Sequence, residues 1–186
     1  MFRSHKKREI ETLIPTLYTP EELNNIGKLL EEQAYIYPWT MAGINTSKIY
    51  QARIVIPAVT VVFFGPGDPG HLYYPSHFKS SCQDHPNELE INPLMVAMAM
   101  TLVEISLREK QIDAVIELKG DNYDNSFKSH MVRLLEARRA NISYYHKLMC
   151  KILNSAKGSD HLNTDTESTR ARVIANVDWE KLTLSD

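Results

Sequence analysis

Phe127, Met131, Leu134, Leu135, Ile142, Tyr145, Leu148, Met149 and Ile152 recur at spacings of three and four, the period of one face of an α-helix. A stripe that long, starting near Asp124 or Asn125, has to be covered, so the rest of the chain must supply an apolar surface for it. Two other segments carry helix-start chemistry. Thr19-Pro20-Glu21-Glu22 offers a capping hydroxyl, a proline for the first helical position and acids for the positive helix end. Leu23, Ile26, Leu30 and Ala34 then predict a helix over about 20–35. Asn92-Pro93 repeats the signal and opens an apolar helix through Leu94, Met95, Met98, Leu102 and Ile105 to about Lys110, with Ile112, Val115 and Ile116 as its continuation towards Gly120. A shorter helix is expected over 45–53, capped by Asn45 or Thr46. Ile54-Val55-Ile56 and Val59 to Phe64 are β-branched and aromatic and predict short strands. The expected fold class is mainly α, an antiparallel helical bundle with a small β-sheet at one end.

At 186 residues the chain suits one domain over 1–186 rather than two with a linker. Met1 to about residue 15 reads as a flexible tail carrying Arg3, Lys6, Lys7 and Arg8, and about 155–170 as a polar linker before the apolar Val173–Leu184. The balance of 21 basic against 23 acidic residues excludes a uniformly basic nucleic-acid-coating protein and leaves room for a local basic face. Cys82 and Cys150 are the only cysteines, which points to a reducing compartment. The apolar run Ile54–Phe64 is interrupted by Pro57 and falls short of the ~20 residues of a membrane span, so no membrane partner is expected.

Four constellations suggest chemistry. Gly65-Pro66-Gly67-Asp68-Pro69-Gly70 matches a dinucleotide-loop string. Two prolines without N–H donors and an anionic Asp68 make consecutive turns the better reading. His71, His77, Cys82 and His85 put four potential zinc ligands in one loop, in a spacing that matches no finger pattern. Asp113, Glu117 and Lys119 resemble part of a metal-dependent nuclease site, which would require a strand. Arg133, Arg138, Arg139 and Lys147, with His146 and the Tyr144-Tyr145 pair, place donors and aromatics on the long C-terminal stripe, a composition suited to phosphates and bases.

Several landmarks, taken in chain order, resemble the coat proteins of rod-shaped plant RNA viruses of the tobacco mosaic virus type. Pro20-x-Glu22-Leu23-x-Asn25 resembles that family's first core helix, and Val59-Thr60-Val61-Val62-Phe63 its short strand. Asn92-Pro93-Leu94 is similar to the Asp-Pro-Leu opening of its third helix, Arg138-Arg139 to the Arg pair of its fourth, and Trp179 to its C-terminal tryptophan. The chain departs from the pattern in an enlarged 65–92 segment, extra length between the third and fourth helices, and a missing Phe-Glu pair before Trp179. Asn92 and Gln51 stand where the family's repelling carboxylates would be, so that disassembly device is not carried over.

The resemblance implies a structural capsid protein that assembles with itself into a helical rod around single-stranded RNA, found in the virion and the host cytoplasm. Arg138, Arg139, Lys147 and Arg108 would then meet phosphates without reading sequence, while Tyr35, Trp39 and Trp179 would be packing or outer-surface residues. No catalytic residue, metal or cofactor is expected. Two other functions are compatible with the residues: a small nuclease using Asp113, Glu117 and Lys119, and a non-enzymatic helical adaptor with a zinc-stabilised loop.

Overall fold

Capping chemistry sets where the helices begin. In the computed structural model, which describes residues 2–40, 43–65, 75–118 and 121–158, Thr19 forms the expected capping box. Its hydroxyl accepts the Glu22 N–H at 3.3 Å, and the Glu22 carboxylate accepts the Thr19 N–H at 2.7 Å. Asn92 caps in the same manner, its Oδ1 accepting the Leu94 N–H at 2.9 Å.

The chain order is α1 (Phe2–Leu17), α2 (Pro20–Asn24), α3 (Ile26–Leu30), a 3-10 segment (Glu31–Ile36), β1 (Trp39–Thr40), β2 (Gly43–Ile44), α4 (Val55–Phe63), a 3-10 turn (Pro75–His77), α5 (Pro93–Ile112), α6 (Asp121–Ala140) and α7 (Ile142–Gly158). The architecture among the described residues is mainly helical, with one small antiparallel ribbon that pairs Trp39 with Ile44 and Thr40 with Gly43. α5 lies at the centre, buried almost without interruption from Val96 to Leu107, with α1, α3, α4 and α6 against it. α7 packs on α4 and α6.

Several expectations are overturned. The segment over 54–64 is a helix rather than strands. Val55, Ala58, Val59 and Val62 are fully buried, while Ile56, Val61 and Phe63 are half-buried. Burial on almost every side overrides a weak β propensity. Pro57 sits in the first turn of α4, where a missing N–H costs no helical hydrogen bond, and the ladder starts at the next residue with Ala58 N–H to Ile54 C=O at 2.9 Å. The small sheet is therefore at 39–44 and not at 54–64.

The helix expected over 20–35 is broken twice. It breaks at Asn25 (φ −112°, ψ 36°), and again where Glu32 and Gln33 take left-handed backbone angles, φ 48° and 59°. Residues 45–54 make successive turns instead of a helix. There Asn45 Oδ1 accepts from the Ser47 N–H and hydroxyl, the local competition with helix that Asn favours.

The N-terminal segment expected as a tail is helix α1, with Ile10 and Ile14 in the core and Lys6 and Lys7 buried. α5 stops at Ile112 because Asp113 turns left-handed (φ 49°). The long C-terminal stripe is two helices. Asn141 interrupts it and caps α7, its Oδ1 accepting the Tyr144 N–H at 2.9 Å. Helix also continues through the start of the expected polar linker, as far as Gly158, and the rest of that linker, Val173–Leu184 and Trp179 lie outside the described residues.

Candidate functional site

Arg138 and Arg139 occupy the last turn of α6, where a cation also complements the negative helix end. Lys147 lies one turn into α7. All three are exposed and make no hydrogen bond or ion pair among the described residues. Val132 and Leu135 share a helical face with Arg139, and Ile142 follows the break. These apolar side chains are 53, 40 and 42% exposed. Arg138 also lies near Tyr145, whose phenol is pushed up to about 12 by burial, with Glu90 adding and the Arg138 charge opposing.

Arg108 does not join this group. Its guanidinium pairs with Glu104 at 2.5 Å, and Glu104 also touches Ser126. Arg138 is twelve residues beyond Ser126 on the same helix, about 18 Å along its axis. Arg133 is likewise engaged, donating to the Tyr37 hydroxyl and the Glu32 carbonyl at 3.3 Å each.

Asp113 to Leu118 is turn and coil, so the strand that a nuclease site over Asp113, Glu117 and Lys119 requires is absent there. Lys119, His71 and residues 66–70 of the glycine string lie outside the described residues. His77 is exposed in its 3-10 turn, whereas Cys82 and His85 sit in the loop that faces α7. Gln51 donates to the Tyr144 hydroxyl at 2.9 Å and Asn92 is a helix cap, so neither amide is idle. Tyr35 is buried in the core, and Trp39 is 39% exposed.

Two polar clusters bring together residues that sequence alone did not join. The first is centred on Glu104, which faces the core from α5. Its Oε2 accepts from Tyr35 at 2.9 Å, Gln33 at 3.0 Å and Ser126 at 2.7 Å. Tyr35 has one proton and gives it to Glu104, so His130 Nε2, 2.7 Å away, donates to the Tyr35 oxygen. That leaves His130 Nδ1 as an acceptor, and the single Tyr50 proton, 3.1 Å from both Nδ1 and the His130 carbonyl oxygen, is shared between them. The strained Glu32-Gln33 pair lies at the end of the segment that delivers Gln33 and Tyr35 to this network. Burial pushes the Glu104 pKa up, but His130 with its Nε2 3.5 Å away, the hydrogen bonds from Ser126 and Tyr35, and the Arg108 charge outweigh it and hold the carboxyl well below its ordinary range. Burial also lowers the His130 pKa against the pull of Glu104.

Glu104 therefore contributes stability in full above the unfolded carboxyl pKa of about 4.3 and loses it as pH falls towards the lower folded value. Urea midpoints measured from pH 7 to pH 3 are expected to drop in the wild type. Glu104→Gln should flatten that drop, and an equal slope in both proteins would exclude Glu104 as its source.

The second cluster joins the loop before α5 to α7. His146 is buried on α7, with Nδ1 at 2.6 Å from Glu90 and Nε2 at 2.9 Å from Glu88. Glu90 is itself buried and is held by the Ser81 N–H and hydroxyl at 2.6 and 2.7 Å. Cys150, one turn further along α7, has its Sγ 3.7 Å from His146 Nε2. Burial first, then Glu90, Glu88 and Cys82, push the Cys150 thiol up to about 11. His85 stacks on His146 with ring centroids 5.4 Å apart and reaches Glu88 at 3.1 Å. The backbone docks beside them, with the Ile91 N–H on the Met149 carbonyl. The signals in the sequence were His85, among the loop residues named as potential zinc ligands, and the i, i+4 pair His146 and Cys150. The partners of that pair lie some sixty residues upstream.

No curated protein and no solved structure matches the chain. Residues 1–137 match the family described as a domain of unknown function, DUF6532, a span that ends inside α6 one residue before Arg138. Since that match takes in most of the protein, from α1 through α5 and most of α6, the chain belongs to the DUF6532 family.

Proposed function

We propose that this domain is a non-enzymatic, self-associating helical module that holds single-stranded RNA by its phosphates, the work of a rod-forming coat subunit. The observation that carries the reading is the junction of α6 and α7. There Arg138, Arg139 and Lys147 are exposed and have no hydrogen-bond or ion-pair partner among the described residues, beside exposed Val132, Leu135 and Ile142. Exposed cations at such a junction are available to phosphates, and apolar side chains among them favour contact between copies. Repetition along an RNA supplies avidity, so few cations per subunit suffice. In this reading α1, α4, α5, α6 and α7 form the antiparallel bundle of the subunit, a non-closing contact between copies builds the rod, and the protein belongs to a virion and the host cytoplasm.

Binding of a labelled single-stranded RNA, followed by fluorescence anisotropy against salt, tests the proposal. Arg138→Ala/Arg139→Ala should weaken binding at least about tenfold in low salt and lower the log–log salt slope by about 1.4, two phosphate contacts at ~0.7 each. Arg108→Ala, tied to Glu104, should change little. Negative-stain microscopy should show rods or discs that lengthen with RNA. Particles that stay monomeric with and without RNA, or unchanged binding in the double variant, would refute the reading. Mg²⁺-dependent RNA cleavage lost in Glu117→Ala would replace it with an enzyme.

A further inference from the structure

We infer that His85, Glu88, His146 and Cys150 form a zinc site that fastens the loop before α5 to α7. The site is independent of RNA binding. Its donors come as two local pairs, His85-x-x-Glu88 from a turn and His146-x-x-x-Cys150 from one turn of helix. A short loop pair facing a helical pair is how four ligands surround a tetrahedral ion without distorting either backbone.

The distances are close to what an ion needs. Glu88, His146 and Cys150 each offer a ligand atom, all within 4.8 Å of one another. His146 Nε2 lies 2.9 Å from Glu88 Oε2 and 3.7 Å from Cys150 Sγ. Ligand atoms bound to zinc at ordinary bond lengths stand about 3.3–3.6 Å apart, so small side-chain rotations centre an ion among them. His85 closes the set. Its side chain is half exposed and already contacts Glu88, so its ring can turn out of the stack on His146.

The supporting shell is also present. His146 Nδ1 is held by Glu90, and Glu90 by Ser81, which leaves Nε2 as the nitrogen that faces the ion. A buried carboxylate on the far nitrogen of a ligand imidazole orients the ring and raises its basicity. Charge argues the same way. Glu88 and Glu90 converge on His146 beside the Cys150 thiol, and a dication takes the place of the thiol proton and the second imidazole proton as both pass to solvent, so the net charge of the cluster does not change. A mixed N, S and O donor set favours zinc over magnesium or calcium.

The experiment uses tag-free full-length protein, stripped with chelator and titrated with zinc chloride. After gel filtration, elemental analysis should find about one zinc per chain, and the melting temperature should rise on loading. Cobalt in place of zinc should give a thiolate charge-transfer band in the near ultraviolet and the visible bands of a tetrahedral ion. Cys150→Ser should abolish the charge-transfer band. Glu88→Gln, at an exposed position that folding tolerates, should weaken zinc at least about tenfold. His77→Ala should leave both unchanged. Stripped protein that takes up no zinc at micromolar concentration and melts alike with and without it would overturn the site. So would zinc held equally well by the Cys150→Ser and Glu88→Gln proteins.

Discussion

Glu104→Ala should lower stability by about 3–5 kcal/mol, a large part of the ~5–15 kcal/mol that holds a domain together. Glu104 is 3% exposed and is the common acceptor for Tyr35, Gln33 and Ser126. Alanine would remove the acceptor and leave a void. The donors would then face an apolar space with nothing to replace water, at about 1–3 kcal/mol for each group stranded. His130 would suffer indirectly, because its Nε2 proton is placed by Tyr35, and Tyr35 by Glu104. Arg108 would be the exception, since its exposed guanidinium is rehydrated at once. Chemical denaturation read by circular dichroism measures the loss. A change below about 1 kcal/mol would mean that these groups do not depend on one another.

Lys7→Ala should cost about 3 kcal/mol, far more than a lysine near the start of a chain ordinarily carries. Lys7 Nζ reaches Glu109 Oε1 at 2.6 Å and Glu11 at 3.3 Å, and both Lys7 and Glu109 are buried. Removing the ammonium would strand a carboxylate between α1 and α5, where its remaining hydrogen bond among the described residues is from the Ile116 N–H. Lys7→Met with Glu109→Leu should recover most of the loss, because two apolar side chains leave no charge to solvate. The coupling energy from the four-protein cycle should exceed about 1 kcal/mol. A value near zero would return Lys7 to the status of a solvated tail residue.

Local chemistry made part of this fold legible. Thr19, Pro20 and Glu22, or Asn92 and Pro93, satisfy free backbone N–H groups within four residues of themselves, so the information is contained in the segment. The strands expected over 54–64 failed for the opposite reason. Val55 to Phe63 has no stripe, since nearly every side is covered by another helix, and periodicity carries nothing when all positions are apolar. Pro57 was the overlooked signal. Lys6 and Lys7 misled in a third way: their burial depends on Val61 and Glu109, which composition cannot connect to them.

The same distinction runs through the site. Exposed Arg138 and Arg139 were visible because exposure is the default for arginine. The expected grouping with Arg108 failed, because it depends on how α5 and α6 align. The His146 cluster was hidden by distance along the chain, since Glu88 and His146 are 58 residues apart. A single Glu among Leu102, Val103 and Ile105 was nevertheless readable as a buried acid in need of partners.

The pairing of Lys7 with Glu109 spans 102 residues, which has a consequence for the order in which the protein is made. α1 leaves the ribosome before either helix that covers it, α4 following some forty to fifty residues behind and α5 nearly a hundred. At about 5–20 residues per second, Ile10 and Ile14 wait roughly 5–20 s before their cover is complete. α5 and α6, neighbours in the chain and in space, can pair soon after they emerge, because closing a short loop costs little entropy. Assembly during synthesis thus runs against the direction of the chain, with the oldest helix docking late, and chaperones that shield nascent apolar segments would act on α1.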